Sequence, residues 1–251
     1  SHNLGQNFSK VFGIKFIGED EKEHYVWQTS WGISTRVIGA LVMVHGDDKG
    51  LVLPPKIAPI QAVIIPIPYK DADISRILTK AIEIREKLQK AGFSIVLDDR
   101  KEYTPGWKFN DWELKGIPLR IEIGPRDVKH GQVTIARRDT LEKLTVEEGK
   151  VVDVVRQLLE AIQSNLFNKA KKFLEDMITS VKTYDQFKQV LTIKGGFIKA
   201  SWCGSQECEQ KIKEETTATI RLVPFEKEEP FSNCIYCGKK AKEVVYFAKS
   251  Y

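Results

Sequence analysis

The sequence predicts α/β and α+β architecture in three consecutive parts. These are a strand-rich stretch closed by one helix (1–55), an α/β domain on a mixed sheet (56–182), and a small α+β lobe clasped by metal (183–251). Three observations carry this reading. Pro54-Pro55 breaks the chain where neither a helix nor a central strand can continue. From 56 onward, short apolar runs alternate with segments of helical period. All four cysteines fall in the last fifth of the chain, as Cys203-x4-Cys208 and Cys234-x2-Cys237.

In the first part, residues 11–17 alternate in part and read as a strand. Gly18-Glu19-Asp20-Glu21-Lys22-Glu23 reads as a charged hairpin tip and 25–31 as a second strand. Ser34 is a good N-cap for a helix whose apolar face runs through Val37, Ile38, Leu41, Val42 and His45. Gly46-Asp47-Asp48-Lys49-Gly50 ends that helix, and 51–53 reads as a last strand.

In the second part, 62–67 is a near-continuous apolar run, as a parallel strand covered on both faces requires. Residues 74–91 place Ile74, Ile77, Leu78, Ala81, Ile84 and Leu88 at helical spacing before Gly92 stops the helix. A strand over 93–97, a short helix over 107–115, strands over 117–123 and 133–136, and a largely helical 151–182 follow. The last part carries helices over 184–191 and 207–216 with short strands between.

At 251 residues and 42% hydrophobic, the chain can form one large domain or a few small ones. A net charge of +5, from 39 basic and 34 acidic residues, is compatible with a polyanionic partner without establishing one. The sequence shows no apolar leader with a cleavage site, no run of about eighteen apolar residues and no internal repeat. A soluble, cytoplasmic protein with no membrane partner is expected. The opening Ser1-His2-Asn3-Leu4-Gly5-Gln6-Asn7-Phe8 lacks a methionine and reads like the interior of a folded enzyme, so a fragment with a missing upstream half is expected.

Two close cysteine pairs separated by a longer loop suit a tetrahedral zinc ion, each pair biting from one short turn. Two disulfides are the weaker alternative, since nothing else reads as secreted. Four free thiols that bind nothing are another. A bound ion would be worth an apparent ~10–16 kcal/mol to a lobe with little core.

In Thr29-Ser30-Trp31-Gly32-Ile33-Ser34-Thr35-Arg36, a strand ends in hydroxylated residues and Arg36 enters the first turn of a helix. A cation there opposes the helix dipole. An anion bound at the helix start would reverse the sign, and a phosphate chain suits hydroxyls plus a guanidinium. A solvent-facing Arg36 is the plainer alternative.

Gly32, Arg36, Ile38-Gly39, His45-Gly46-Asp47 and Gly50-Leu51-Val52-Leu53-Pro54-Pro55 resemble motif 3 and the domain exit of a class II prolyl-tRNA synthetase, of the type found in eukaryotes, archaea and some bacteria. The opening residues 1–8 resemble the stretch lining its proline pocket. Residues 103–116, from Tyr103-Thr104-Pro105-Gly106-Trp107 onward, and Glu122-Ile123-Gly124-Pro125-Arg126-Asp127 are similar to its anticodon-binding domain. The cysteines and the final Phe247-Ala248-Lys249-Ser250-Tyr251 resemble its C-terminal zinc-binding lobe.

The resemblance covers essentially the whole chain. It implies the end of an antiparallel-sheet catalytic domain over 1–55, an anticodon-binding domain over 56–182 and a zinc-binding domain over 183–251. It also implies a proline–tRNA ligase that activates L-proline with ATP and Mg²⁺ and transfers it to tRNA(Pro), usually as a homodimer. His2 and Trp31 would line the proline site. Ser34 and Arg36 would touch ATP, Arg36 as the motif 3 arginine. Tyr251 would reach back toward the active site. Motifs 1 and 2 are absent, so the chain alone is not expected to activate proline. Neither chemical step needs a protein nucleophile; positioning and charge stabilisation suffice.

The same resemblance places Glu113, Arg120, Arg126 and Asp127 at anticodon-reading positions. Proline anticodons end in two guanines. An unstacked guanine offers N1–H and N2–H₂ donors on one edge and O6 and N7 acceptors on the other. One carboxylate and one arginine per guanine satisfy both edges; ordinary surface ion pairs are the plainer reading. Phe109 and Trp112 read as core packing, while Trp107 is open between packing and base stacking. Two alternatives stand beside the ligase: a catalytically silent tRNA- or RNA-binding module derived from such an enzyme, and another class II synthetase sharing this anticodon domain.

Overall fold

The computed structural model describes residues 2–68 and 74–249, which form two compact units, Ser1–Ile162 and Gln163–Tyr251. The first unit opens with β1 (His2–Gly5), α1 (Asn7–Phe12), β2 (Lys15–Ile17), β3 (Glu23–Tyr25), β4 (Gln28–Ser30) and α2 (Arg36–His45). Two small antiparallel ladders result, β1 with β4 and β2 with β3.

The expected strand over 11–17 is shorter than its alternation implies. Phe8 and Phe12, four residues apart, stack with ring centroids 6.3 Å apart, and that helical contact wins the segment for α1. The expected strand over 25–31 is split, because β3 and β4 pair with different partners. Helix α2 forms close to where expected, with Thr35 rather than Ser34 at its N-cap, but Val37, Ile38 and Val42 are exposed and none of its residues is buried. Residues 51–53 form no strand; their amides bond a helix end instead.

The unit's core is a five-stranded mixed sheet, in the order β6 (Ile95–Leu97), β5 (Ala62–Pro66), β7 (Leu119–Ile123), β8 (Gln132–Arg137), β9 (Lys143–Glu147). Strand β5 runs parallel to β6 and β7, and β8 runs antiparallel to both of its neighbours, β7 and β9. Every residue of β5 is buried, as its unbroken apolar run requires. Helix α3 (Ile74–Lys90) buries Ile77, Ala81, Ile84 and Leu88, the stripe its period predicts. Helix α4 (Pro105–Leu114) starts at a Thr104 cap with proline in its first turn. It lays Phe109 and Trp112 on Val63, Ile65 and Ile117. Both aromatics are therefore packing residues.

The short α5 (Pro125–His130) and the edge strand β9 have no counterpart in the periodicity. A turn of 3₁₀ helix then leads into α6 (Val151–Asp176), which buries Val151, Val155, Leu159, Ile162 and Leu166 along one stripe and continues from the first unit into the second.

The second unit holds β10 (Ile178–Ser180), α7 (Tyr184–Ile193), β11 (Phe197–Trp202), α8 (Gln206–Thr216), β12 (Ala218–Leu222) and β13 (Glu243–Lys249). Its sheet order is β10-β11-β13-β12, with β10 parallel to β11 and the rest antiparallel. Helix was expected as far as 182. The run Ile178-Thr179-Ser180-Val181, β-branched at every position but Ser180, instead adds an edge strand, and the Val181 amide donates to Lys199 O at 3.1 Å. Phe187 and Phe247 anchor this core edge to face, with centroids 5.2 Å apart.

Candidate nucleic-acid interface and candidate metal centre

Arg120 and Glu122 lie two residues apart on β7, so both side chains point to one face of the sheet. Their register partners on β5 are Val63 and Ile65, the residues on which α4 packs, so that face belongs to α4. Arg120 Nε donates to Glu122 Oε1 at 3.0 Å and NH1 to Glu113 Oε1 on α4 at 2.8 Å. The Phe109 ring lies under the guanidinium. Lys143 on β9 reaches the same carboxylate, with Nζ 2.9 Å from Glu122 Oε2.

Arg120, Glu113 and Glu122 are mostly buried, at 11%, 19% and 8% side-chain exposure, so these pairs are more than solvated surface contacts. Among the described residues, donors of the guanidinium remain uncommitted and Glu113 Oε2 has only Lys49 nearby, at 3.9 Å. Such a group can offer a donor and an acceptor to a planar base.

Asp127 opens α5. Its Oδ2 accepts from the Gly124 amide at 2.8 Å and its Oδ1 from Thr134 Oγ1 at 3.3 Å. Thr134 is the register partner of Glu122, so Asp127 reaches the same sheet face one strand away. Arg126 beside it is exposed, and no ion pair of its side chain is found among the described residues. Glu113 and Arg120 thus meet directly, while Arg126 and Asp127 sit beyond the end of β7.

Neither Glu122 nor Lys143 was expected among the site residues. The period of two places Glu122 on the face of Arg120. Nothing in the sequence aligns Lys143 there, because that depends on the row Arg120, Ala136, Lys143 across three strands.

His2 on β1 pairs with Ser30 on β4, next to Trp31, which is 79% exposed. The Ser34 carbonyl accepts the Val37 amide at 3.1 Å, and Arg36 opens α2 with its side chain exposed. His2 and Trp31 therefore flank one ladder, and Ser34 and Arg36 gather at one helix start. Tyr251 lies outside the described residues.

The sulfurs of Cys203, Cys208, Cys234 and Cys237 all lie within 4.8 Å of one another. Cys203 Sγ is 3.6 Å from Cys208 Sγ and 3.8 Å from Cys237 Sγ. Four thiolates at about 2.3 Å from a zinc ion stand about 3.8 Å apart, so the cluster matches a closed four-sulfur site. All four cysteines are free, at separations far beyond the ~2.05 Å of a disulfide. The disulfide reading is set aside.

Cys203 follows β11 and Cys208 lies in the first turn of α8. The turn bearing the second pair is pinned to β11 by Ile235 N donating to Ser201 O at 2.9 Å and Lys242 N to Trp202 O at 2.8 Å. The Lys239 amide facing Cys237 draws that thiol down to about 7. Burial pushes Cys208 up to about 12 and also raises Cys234. The cluster could hold a zinc ion, whose binding would displace those protons.

Residues 61–158 match the family described as anticodon binding domain, and residues 184–251 the family described as prolyl-tRNA synthetase, C-terminal. The chain carries an anticodon-binding domain and a prolyl-tRNA synthetase C-terminal domain. Among its relatives, a proline–tRNA ligase of Natranaerobius thermophilus is 49% identical over the whole chain, and one of Alkaliphilus oremlandii is 50% identical. The chain spans 52% of each, about half the length of these relatives. A solved prolyl-tRNA synthetase of Cryptosporidium parvum, in complex with L-proline and AMP, superposes with a TM-score of 0.91 at 42% identity. It covers all of this chain, which covers 54% of that one. The Arg120 cluster lies within the anticodon-binding match, and all four cysteines lie within the match to the prolyl-tRNA synthetase C-terminal family.

Proposed function

We propose that this chain belongs to a proline–tRNA ligase, in which it supplies the motif 3 helix, the anticodon-reading surface and a zinc-bearing lobe. The observation that carries the reading is Arg120, stacked on Phe109 and shared between Glu113 and Glu122, inside the segment matching an anticodon-binding domain. In this reading Arg120 presents donors to the O6 and N7 edge of a splayed guanine while Glu113 accepts from N1–H and N2–H₂. Arg126 and Asp127 serve the second guanine from the start of α5. The basic excess and exposed lysines contact the phosphate backbone.

The ligase activates L-proline with ATP and passes the prolyl group to tRNA(Pro). Arg36 and Ser34, at the start of α2, fit a nucleotide phosphate chain, with Mg²⁺ arriving with the nucleotide. His2 and Trp31 line the amino-acid side. Cys203, Cys208, Cys234 and Cys237 hold zinc as a structural ion that clasps β11, α8 and the 234–242 turn. Domain limits at 55 and 182, a homodimer and a role for Tyr251 in the active site belong to the same reading.

The test compares the chain's affinity for a tRNA transcript ending its anticodon in two guanines with that for the same transcript carrying adenines there. Preference for the guanine form, lost in Arg120→Ala, supports the reading. Equal affinity for both would overturn it.

A further inference from the structure

The last turn of α4, which carries Glu113, is held by a segment distant in sequence. The Leu51 amide donates to Leu114 O at 3.0 Å and the Leu53 amide to Gly116 O at 3.1 Å. Carbonyls at a helix end have no partner within the helix, so this segment satisfies them. Two glycines allow the approach. At Gly50, φ is +124° and a Cβ would lie 2.6 Å from Leu114 O; at Gly116, φ is +72° and a Cβ would lie 2.6 Å from the Leu51 carbonyl carbon.

Arg138, just past β8, closes the arrangement. Its side chain is 2% exposed. Nε donates to Glu113 O at 3.0 Å, while NH1 and NH2 grip the Asp47 carboxylate at 2.8 and 2.5 Å. Asp47 lies two residues beyond α2 and receives the Lys49 amide at 2.9 Å. A buried guanidinium is costly unless its donors are matched, and a forked carboxylate fixes direction as well as charge. Two arginines therefore grip one residue: Arg138 holds the Glu113 backbone and Arg120 its carboxylate.

We propose that Arg138 and Asp47 form a positioning clamp that sets the angle at which the Glu113 carboxylate meets Arg120 and an incoming guanine. The proposal rests on the anticodon reading given above. Neither clamp residue needs to touch RNA. Their effect is on discrimination, because a Glu113 free to swing can still attract a cation or a phosphate-bound counterion but no longer meets a base edge at one geometry.

The experiment measures filter-binding affinities for the guanine and adenine transcripts in the full protein, for the parent and for Asp47→Asn, Arg138→Lys, their double variant and Arg120→Ala. Each clamp variant is expected to lower the guanine-to-adenine preference about five- to tenfold, leaving affinity for the adenine transcript unchanged. The double variant should lose no more than either single one, because the pair acts as a unit. A preference equal to the parent's in Asp47→Asn and Arg138→Lys, with Arg120→Ala losing it, overturns the clamp and leaves the anticodon reading standing. A preference that survives Arg120→Ala as well overturns both. Asp47→Asn is isosteric at a half-exposed carboxylate, so it decides alone if Arg138→Lys does not fold.

Discussion

The guanidinium of Arg120 lies over the ring of Phe109, 4.2 Å from its centroid. Phe109 packs on the core of Val63 and Ile65, so the ring has little room to follow a moving arginine. Stacking of this kind is worth about 0.5–2 kcal/mol depending on desolvation. Its larger effect is geometric, because it turns the donor-bearing edge of Arg120 toward Glu113 and Glu122.

Replacing Arg120 by lysine keeps the charge and removes both the fork and the stacked plane. The preference for paired anticodon guanines should fall about ten- to hundredfold, as loss of one bidentate contact implies. Electrophoretic competition between the two transcripts would read this out. A lysine variant as selective as the parent would show that charge alone suffices there.

Asp98 is a buried carboxylate, 1% exposed, and burial alone would raise its pKa. Two hydrogen bonds from Arg100, at 2.9 and 2.7 Å, one from Trp112 Nε1 at 2.7 Å, and the nearby Lys108 ammonium hold it well below the usual carboxylate range instead. Asp98→Asn leaves Lys108 without its counter-charge and Arg100 with only that of Asp111. It should cost about 3 kcal/mol, the low end for a broken buried pair because Arg100 is partly solvated. A urea midpoint within experimental scatter of the parent's would contradict this.

Asp47 is drawn down to about 2, chiefly by its hydrogen bonds from Arg138. Its folded value lies below the unfolded one of about 3.9, so its contribution is present above about pH 4 and is lost as pH falls toward 2. The stability difference between parent and Asp47→Asn should therefore be constant near neutrality and shrink below about pH 4. Denaturation series at several pH values would measure it. A gap that does not narrow on acidification would place the stabilising partner of Arg138 elsewhere.

Metal analysis of the purified chain should find about one zinc per molecule, following the four-thiolate count. Cobalt substitution should give the absorption of a tetrahedral thiolate site. Chelation or Cys208→Ser should unfold the second unit, whose core is modest beside an apparent ~10–16 kcal/mol of zinc binding. A metal-free chain that melts with the parent's midpoint would show that the cysteines are packing residues.

Much of the fold was legible in the sequence. The stripe of α3, the apolar run of β5 and the cysteine spacing each depend on neighbours within one or two turns of chain. Misreadings arose where a segment's partner was remote. Residues 178–181 carried both helical and strand signals, and only the Phe197–Trp202 edge decided for strand. The residues 51–53 looked like a strand because they are extended, yet their bonds go to the end of α4.

The sequence by itself determined the periods, the turns, the thiol pairs and the family resemblance, because each is written in spacing along the chain. It also named Glu113 and Arg120, though not as partners. Tertiary structure alone decided that Glu122 and Lys143 join them, that Asp127 also caps a helix, and that Arg138 reaches across to Asp47. Those facts depend on strand register and on which helix covers which face. Such choices are set by the packing of the whole sheet, where each contact gains its value only once remote segments have already been brought together.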